Sequence, residues 1–147
     1  MLKRKGVNVM KVVVSACLLG ENCKYNGGNN FDPKVAEFVK GREVIPVCPE
    51  VLAGLGIPRI PMEIVHGRVI NRDGQDLDDA LRAAAAQILE QLSHEDVECV
   101  ILKSRSTTCG VKEVYDGTFS GRRIPGQGTL AAALLAAGYR VIDAEDL

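Results

Sequence analysis

Five cysteines, at positions 17, 23, 48, 99 and 109, are the residues of this sequence best suited to chemistry. A thiolate is both a nucleophile and a soft metal ligand. Three of the five have polar or turn-forming neighbours. Cys17 lies in "SACLLG" close to Ser15, Cys48 in "VCPE" two residues before Glu50, and Cys109 in "STTCG" between Ser106 and Gly110. A cysteine that merely fills a core has an apolar surround instead, and Cys99, inside "ECVIL", is assigned to that role. Cys23 reads two ways, as a further ligand or as a bystander in a glycine-rich loop. The count is odd, and "MLKRKGVNVM" lacks a small-residue cleavage site. Both points argue against a disulfide framework and for a reducing, cytoplasmic setting.

Three chemistries compete for these thiols. Structural zinc prefers four ligands in closely spaced cysteine pairs, and no such pairs occur here. A [4Fe–4S] cube takes four thiolates, so a set of three leaves one iron open to bind a substrate atom as a Lewis acid. In a non-catalytic version, Cys23 completes a four-ligand site for a sensor or a structural staple. The third reading is a cysteine nucleophile. "VVVSACLLGENCKYNG" is superficially similar to the strand and loop of small tyrosine phosphatases and arsenate reductases. Those enzymes need an arginine after five intervening residues, to hold the oxyanion by its fork of donors. Position 23 is cysteine instead and Lys24 comes one place late, so the required cation is missing.

The elements that must position the cysteines follow from the hydrophobic pattern. "KVVVSA" (11–16), "EVIPV" (43–47) and "ECVILK" (98–103) read as short buried strands. Pro46 puts the second at an edge or near its end. Residues 32–40 read as a helix capped by Asp32, with Pro33 in its first turn and Gly41 beyond its end. In 76–92, Leu77, Leu81, Ala85, Ile88 and Leu92 share one helical face. A third helix is expected over 129–137 and a last strand in "YRVID". "EIVHGRVI" reads as a hairpin turning at His66–Gly67, residues 51–62 as an ordered loop, and 104–128 as a long functional loop. Alternating strands and helices predict an α/β fold: one small domain over 11–147, with a mainly parallel sheet between helices in a Rossmann-like three-layer arrangement. Residues 1–10 are expected to be a flexible extension. Ligands of such sheets collect beyond the carboxyl ends of the strands. Cys17, Cys48 and Cys109 each follow a strand, so all three are expected on one rim.

Composition narrows the partners. A net charge of −1 without a basic block gives no case for nucleic acid or an anionic membrane. Aromatic residues at 4% weaken a base-stacking surface further. No apolar run reaches the roughly 18–20 residues of a membrane span. Nothing in the sequence fixes an oligomeric state.

Five segments, "SACLLGENCKYNGG", "VCPEVLAGLGIPRIPMEI", "ILKSRSTTCG", "YDGTFSG" and "PGQGTLAAALL", occur in an order that resembles the DUF523 family, which includes enzymes of the thiouracil desulfurase type. The resemblance runs from about residue 11 to the end. It implies a small α/β domain and an oxygen-sensitive [4Fe–4S] cluster, lost or replaced in aerobically prepared protein. Carried over by motif, its ligands are Cys17, Cys48 and Cys109. The implied substrate is a small thiolated, nucleobase-like compound whose sulfur leaves as hydrosulfide, replaced by water without net redox change. The implied acid–base residues are Glu50 and Ser106.

The local readings of these residues stay open beside the resemblance. Glu50 reaches a pocket only if the turn after Cys48 bends it back, and a solvated position is the alternative. Ser106 is also suited to a local loop hydrogen bond, and Ser104 is a neighbouring candidate. Arg59 and Glu63 are expected to pair and stiffen their loop, with holding substrate as the alternative. "YDGTFSGRR" is a candidate lid, and "PGQGT" places backbone N–H groups where an anion or an ordinary helix cap is served.

Overall fold

The structure, a computed structural model, describes residues 10–147. Most of the expected flexible extension, residues 1–9, lies outside the described residues. Strands β1 (Lys11–Ser15), β2 (Glu43–Val47), β5 (Val97–Leu102) and β8 (Val141–Asp143) form one parallel sheet in the order β2-β1-β5-β8. Two antiparallel hairpins stand apart from it: β3 (Met62–Val65) with β4 (Arg68–Asn71), and β6 (Glu113–Tyr115) with β7 (Arg123–Pro125). The helices are α1 (Pro33–Val39), α2 (Pro49–Leu52), α3 (Asp78–Leu92) and α4 (Thr129–Ala136), and a 3-10 turn spans Ala16–Leu19.

Alternation along the strands sorts their side chains to two faces. Val13, Val47, Val100 and Leu102 face α3 and α4, packing with Ala85, Ile88, Leu92, Leu130 and Leu134. Val12, Val14, Cys99 and Ile101 face the other way, toward Leu18 of the 3-10 turn and Val35 of α1. The expected three layers are therefore present, with a core on each side of the sheet. Cys99 is fully buried in the second core, as expected of it. Each fully buried aliphatic side chain contributes about 1.5–3 kcal/mol relative to exposure. On one side of the sheet α3 and α4 share this burial, through Ala85, Ile88 and Leu92 and through Leu130, Ala131 and Leu134.

Local signals account for the element ends. The Asp32 carboxylate accepts from the Lys34 N–H and caps α1, whose first residue is Pro33. β2 lies at the sheet edge, where the missing N–H of Pro46 costs no ladder bond. The hairpin β3–β4 turns at His66 and Gly67, both at positive φ, 50° and 80°, the backbone that a two-residue hairpin loop demands. Asp78, buried at the start of α3, accepts from the Val69 N–H at 3.1 Å and so ties this hairpin to the helix.

Two expectations need correction. Residues 51–62 are not loop throughout, because α2 continues through Leu52. The stretch 104–128 is not one long loop. It contains β6–β7, whose strands are only three residues each and too short to show a period.

Candidate active site

The parallel order places β2, β1 and β5 side by side, with Ser15 abreast of Val47 and Val14 abreast of Ile101. Just past these ends lies a cavity of about 570 Å³. Cys17 enters it from the 3-10 turn after β1, Cys48 from the junction of β2 and α2, and Cys109 from the loop after β5. Cys23 lines it as well, and all five cysteines are free thiols. The rim expected from topology is therefore where the three cysteines stand, and the sequence's ambiguous fourth stands with them.

The thiols sense one another. Burial raises the pKa of each above its ordinary 9.0. Cys109 is pushed up to about 12, first by burial and then by the Glu50 carboxylate, with Cys17 adding to the effect. Burial and Glu50 act in the same order on Cys48. Burial also dominates at Cys17, where the Asn30 side chain pulls the other way and Cys23 and Glu50 add to the rise. A buried thiolate cluster is therefore disfavoured in the bare protein and requires a cation to hold its charge.

Glu50 does bend back. Cys48 caps α2, Pro49 opens it, and the following turn brings Glu50 inward, only 9% exposed. Its Oε1 lies 3.5 Å from the Cys48 sulfur, which donates to it. Its Oε2 accepts from the hydroxyl of Thr108, a fully buried residue next to Cys109. The sequence reading missed Thr108. The signal available was a hydroxyl adjacent to a ligand-type cysteine.

Ser106 lines the cavity, and its Oγ accepts from the N–H groups of Thr108 at 3.2 Å and Cys109 at 3.0 Å. The Ser106 and Thr108 hydroxyls are 3.2 Å apart. The serine thus makes the local loop bond that was the alternative reading, and it does so at the edge of the cavity. Ser104 is turned to a different task, donating to the buried Asp143 carboxylate.

The loop carrying Cys109 is fixed by close backbone packing. The N–H groups of Thr129, Leu130 and Ala131 at the start of α4 donate to the carbonyls of Thr107 and Thr108 at 2.8–3.1 Å. They are consumed as a helix cap and are not free for an anion. A Cβ on Gly128 would stand 2.4 Å from the Thr108 carbonyl carbon, and one on Gly110 would stand 2.6 Å from the Glu113 oxygen. Both glycines are there because nothing larger fits.

Arg59 and Glu63 do not pair with each other. Arg59 donates to the Cys23 carbonyl at 2.9 Å and the Gly56 carbonyl at 3.1 Å, fastening the cysteine loop. Glu63 accepts from the N–H groups of Gly117 at 2.9 Å and Phe119 at 3.1 Å. The candidate lid is therefore a pinned connection between β6 and β7.

Among the described residues, no group of three or more His, Cys, Asp or Glu side chains is close enough to share one metal ion. Tetrahedral zinc, at about 2.3 Å from each sulfur, needs its ligands nearly in contact. An iron–sulfur cube has its irons at separate corners, and its thiolates stand further apart. Four thiols lining one cavity are the donor type that an iron–sulfur cluster takes.

The sequence profile of the 2-thiouracil desulfurase family matches residues 12–146. The chain belongs to the 2-thiouracil desulfurase family. It is 36% identical to the uncharacterized protein YbbK of Bacillus subtilis (strain 168) over 146 residues, covering 92% of this chain and 97% of that protein. A solved structure of TudS, a [4Fe-4S]-dependent thiouracil desulfidase, superposes with a TM-score of 0.86 at 31% identity, covering 94% of this chain and 93% of the other. Membership of this desulfurase family makes the chain an enzyme of the C–S bond-cleaving kind, and the superposition agrees with the α/β fold read from the strands.

Proposed function

We propose that this protein is a cytoplasmic [4Fe–4S]-dependent desulfurase that removes sulfur from a small thiolated heterocycle such as a thiouracil, without net redox change. Cys17, Cys48 and Cys109 would hold the cluster. The observation that carries the reading is the delivery of these three cysteines, from three adjacent strand ends, into one cavity that also receives the Glu50 carboxylate. The likeness to TudS supports the same cofactor. When bound, the cluster would supply an iron not taken by protein, a Lewis acid that polarises a C–S bond.

The chain's own residues would do the proton work. Glu50 is placed to accept a proton from water at Oε1 while Thr108 holds Oε2, the arrangement of a general base with a fixed orientation. Ser106 Oγ lies beside the same network and would hold or relay a proton at the departing sulfur. Ile60, Pro61 and Met62 supply an apolar part of a wall that also carries Arg59, Glu63, Arg72 and Lys103.

A second reading rests on Cys23. It is 7% exposed and lines the same cavity, so four thiols are available for a non-catalytic cluster. The nucleophile reading has less support. The N–H groups of Gly20, Glu21 and Cys23 are committed to carbonyls within the loop, so they do not form an anion cradle around Cys17.

The deciding experiment is anaerobic reconstitution with iron and sulfide, followed by assay of 2- and 4-thiouracil. About four irons per chain, with sulfide release that is lost in Cys17→Ser, Cys48→Ser and Cys109→Ser, is the expected result. A bound cluster with no turnover of either thiouracil overturns the thiouracil assignment, and loss of iron in Cys23→Ser as well would favour the four-thiol site.

A further inference from the structure

Phe119 combines three features that the proposed reaction does not yet use. Its backbone has φ of 58°, in the left-handed region that bulky residues rarely enter. Its N–H is held by Glu63, a buried carboxylate that also holds the N–H of Gly117. The residue lines the cysteine cavity, and Arg72, which lines it too, has its guanidinium 5.7 Å from the Phe119 ring centroid.

The pinning is thorough. Gly117, at φ of 91°, lies so close to β3 that a Cβ would stand 2.6 Å from the Ile64 carbonyl oxygen. Asp116 caps the same turn, accepting from the Thr118 N–H at 2.9 Å. A connection that only had to join β6 to β7 requires neither a buried carboxylate nor a bulky residue at positive φ. An uncommon backbone conformation persists where surrounding contacts over-determine it, and such places cluster at ligand clamps.

We infer that Phe119 is the stacking surface for the planar ring of the substrate and sets specificity for a flat, unsaturated heterocycle. This inference rests on the proposed desulfurase reading and deepens it. A thiolated nucleobase offers only one sulfur for the reacting centre, and its ring needs a face to lie against. Aromatic side chains serve any base in this way, because every base presents a π-face. Arg72 withdraws electron density from the Phe119 ring through the cation–π contact and helps fix its orientation. Phe119 touches the substrate ring and not its sulfur, so its effect falls on binding. Uniform binding of ground and transition states is read in KM.

The test uses reconstituted protein and two variants. In Phe119→Leu, iron content and kcat are retained and KM for 2-thiouracil rises about tenfold, a typical loss for one stacked base. An unchanged KM overturns the inference, even with the desulfurase activity intact. The protein has no tryptophan, so Phe119→Trp introduces a single indole, excited apart from the tyrosines at the red edge of its absorption. Titration with uracil is expected to quench its emission saturably. This readout needs no turnover, so it decides the stacking role even if the wild type proves inactive on thiouracil or the leucine variant folds poorly. Emission unmoved by uracil overturns the inference.

Discussion

The Thr108 hydroxyl donates to Oε2 of Glu50, a residue 58 positions away. That one bond joins the two loops that carry Cys48 and Cys109. It also fixes which carboxylate oxygen is left to face the Cys48 sulfur. Removing the hydroxyl in Thr108→Val leaves a buried carboxylate oxygen short of a donor, at a cost of about 2 kcal/mol. Denaturant unfolding of the variant checks this, and Thr108→Ser is expected to recover most of the loss.

Glu50→Gln keeps the shape of the side chain and its bond to Thr108 but removes the base. Turnover of a thiouracil is expected to fall by at least about 100-fold, while iron content stays at the wild-type level. Loss of iron together with activity would assign Glu50 to holding the cofactor instead.

Cys23 separates the catalytic reading from the structural one. Cys23→Ser is expected to retain iron and most activity, in contrast to the same change at Cys17, Cys48 or Cys109. Iron analysis of the four variants in parallel gives the answer. A Cys23 variant that fails to hold iron shows a four-ligand site.

Burial raises the pKa of every cysteine in the apo protein. The unfolded chain therefore releases its thiol protons first as pH rises. The unfolded state then binds fewer protons than the native state, and stability declines with pH. The stabilisation is complete below the ordinary thiol value near 9 and is lost between there and the raised native values, about 12 for Cys109. Thermal unfolding of metal-free protein from pH 7 to 10.5 should show the melting temperature falling above about pH 8.5. A flat profile over that window contradicts the buried thiols described above.

Gly128→Ala places a methyl group where the Thr108 carbonyl carbon is 2.4 Å away. The backbone must shift to admit it, at roughly 1–3 kcal/mol, and the shift moves Cys109. Reduced stability in urea and weaker iron retention are expected together. Gly128 is not at positive φ, so the effect measures contact alone.

Much of this was legible in the sequence. The apolar, β-branched runs marked the four sheet strands, and their alternation with helices fixed the rim on which Cys17, Cys48 and Cys109 stand. His66–Gly67 marked its hairpin because a tight turn demands particular residues. The site's finer wiring was not legible. Thr108 with Glu50, and Glu63 with Gly117 and Phe119, join residues far apart in sequence, and no local pattern encodes such pairings. A buried arginine is usually paired, which points to an Arg59–Glu63 bridge, but each holds backbone groups on another loop instead. The strands β6 and β7 escaped notice because three residues are too few for an alternation to declare itself.

The central place of β1, between β2 and β5, governs the order of events on the ribosome. Cys17 and Cys48 emerge early and line the cavity after a single crossover that contains α1. The third wall of the cavity waits for β5, for the loop that bears Cys109, and for the start of α4 that locks this loop through its carbonyls. Most of the chain must therefore leave the exit tunnel before the cavity closes. A group held by all three cysteines would consequently be taken up late, and a chain stalled before residue 128 would lack the contacts that lock the Cys109 loop.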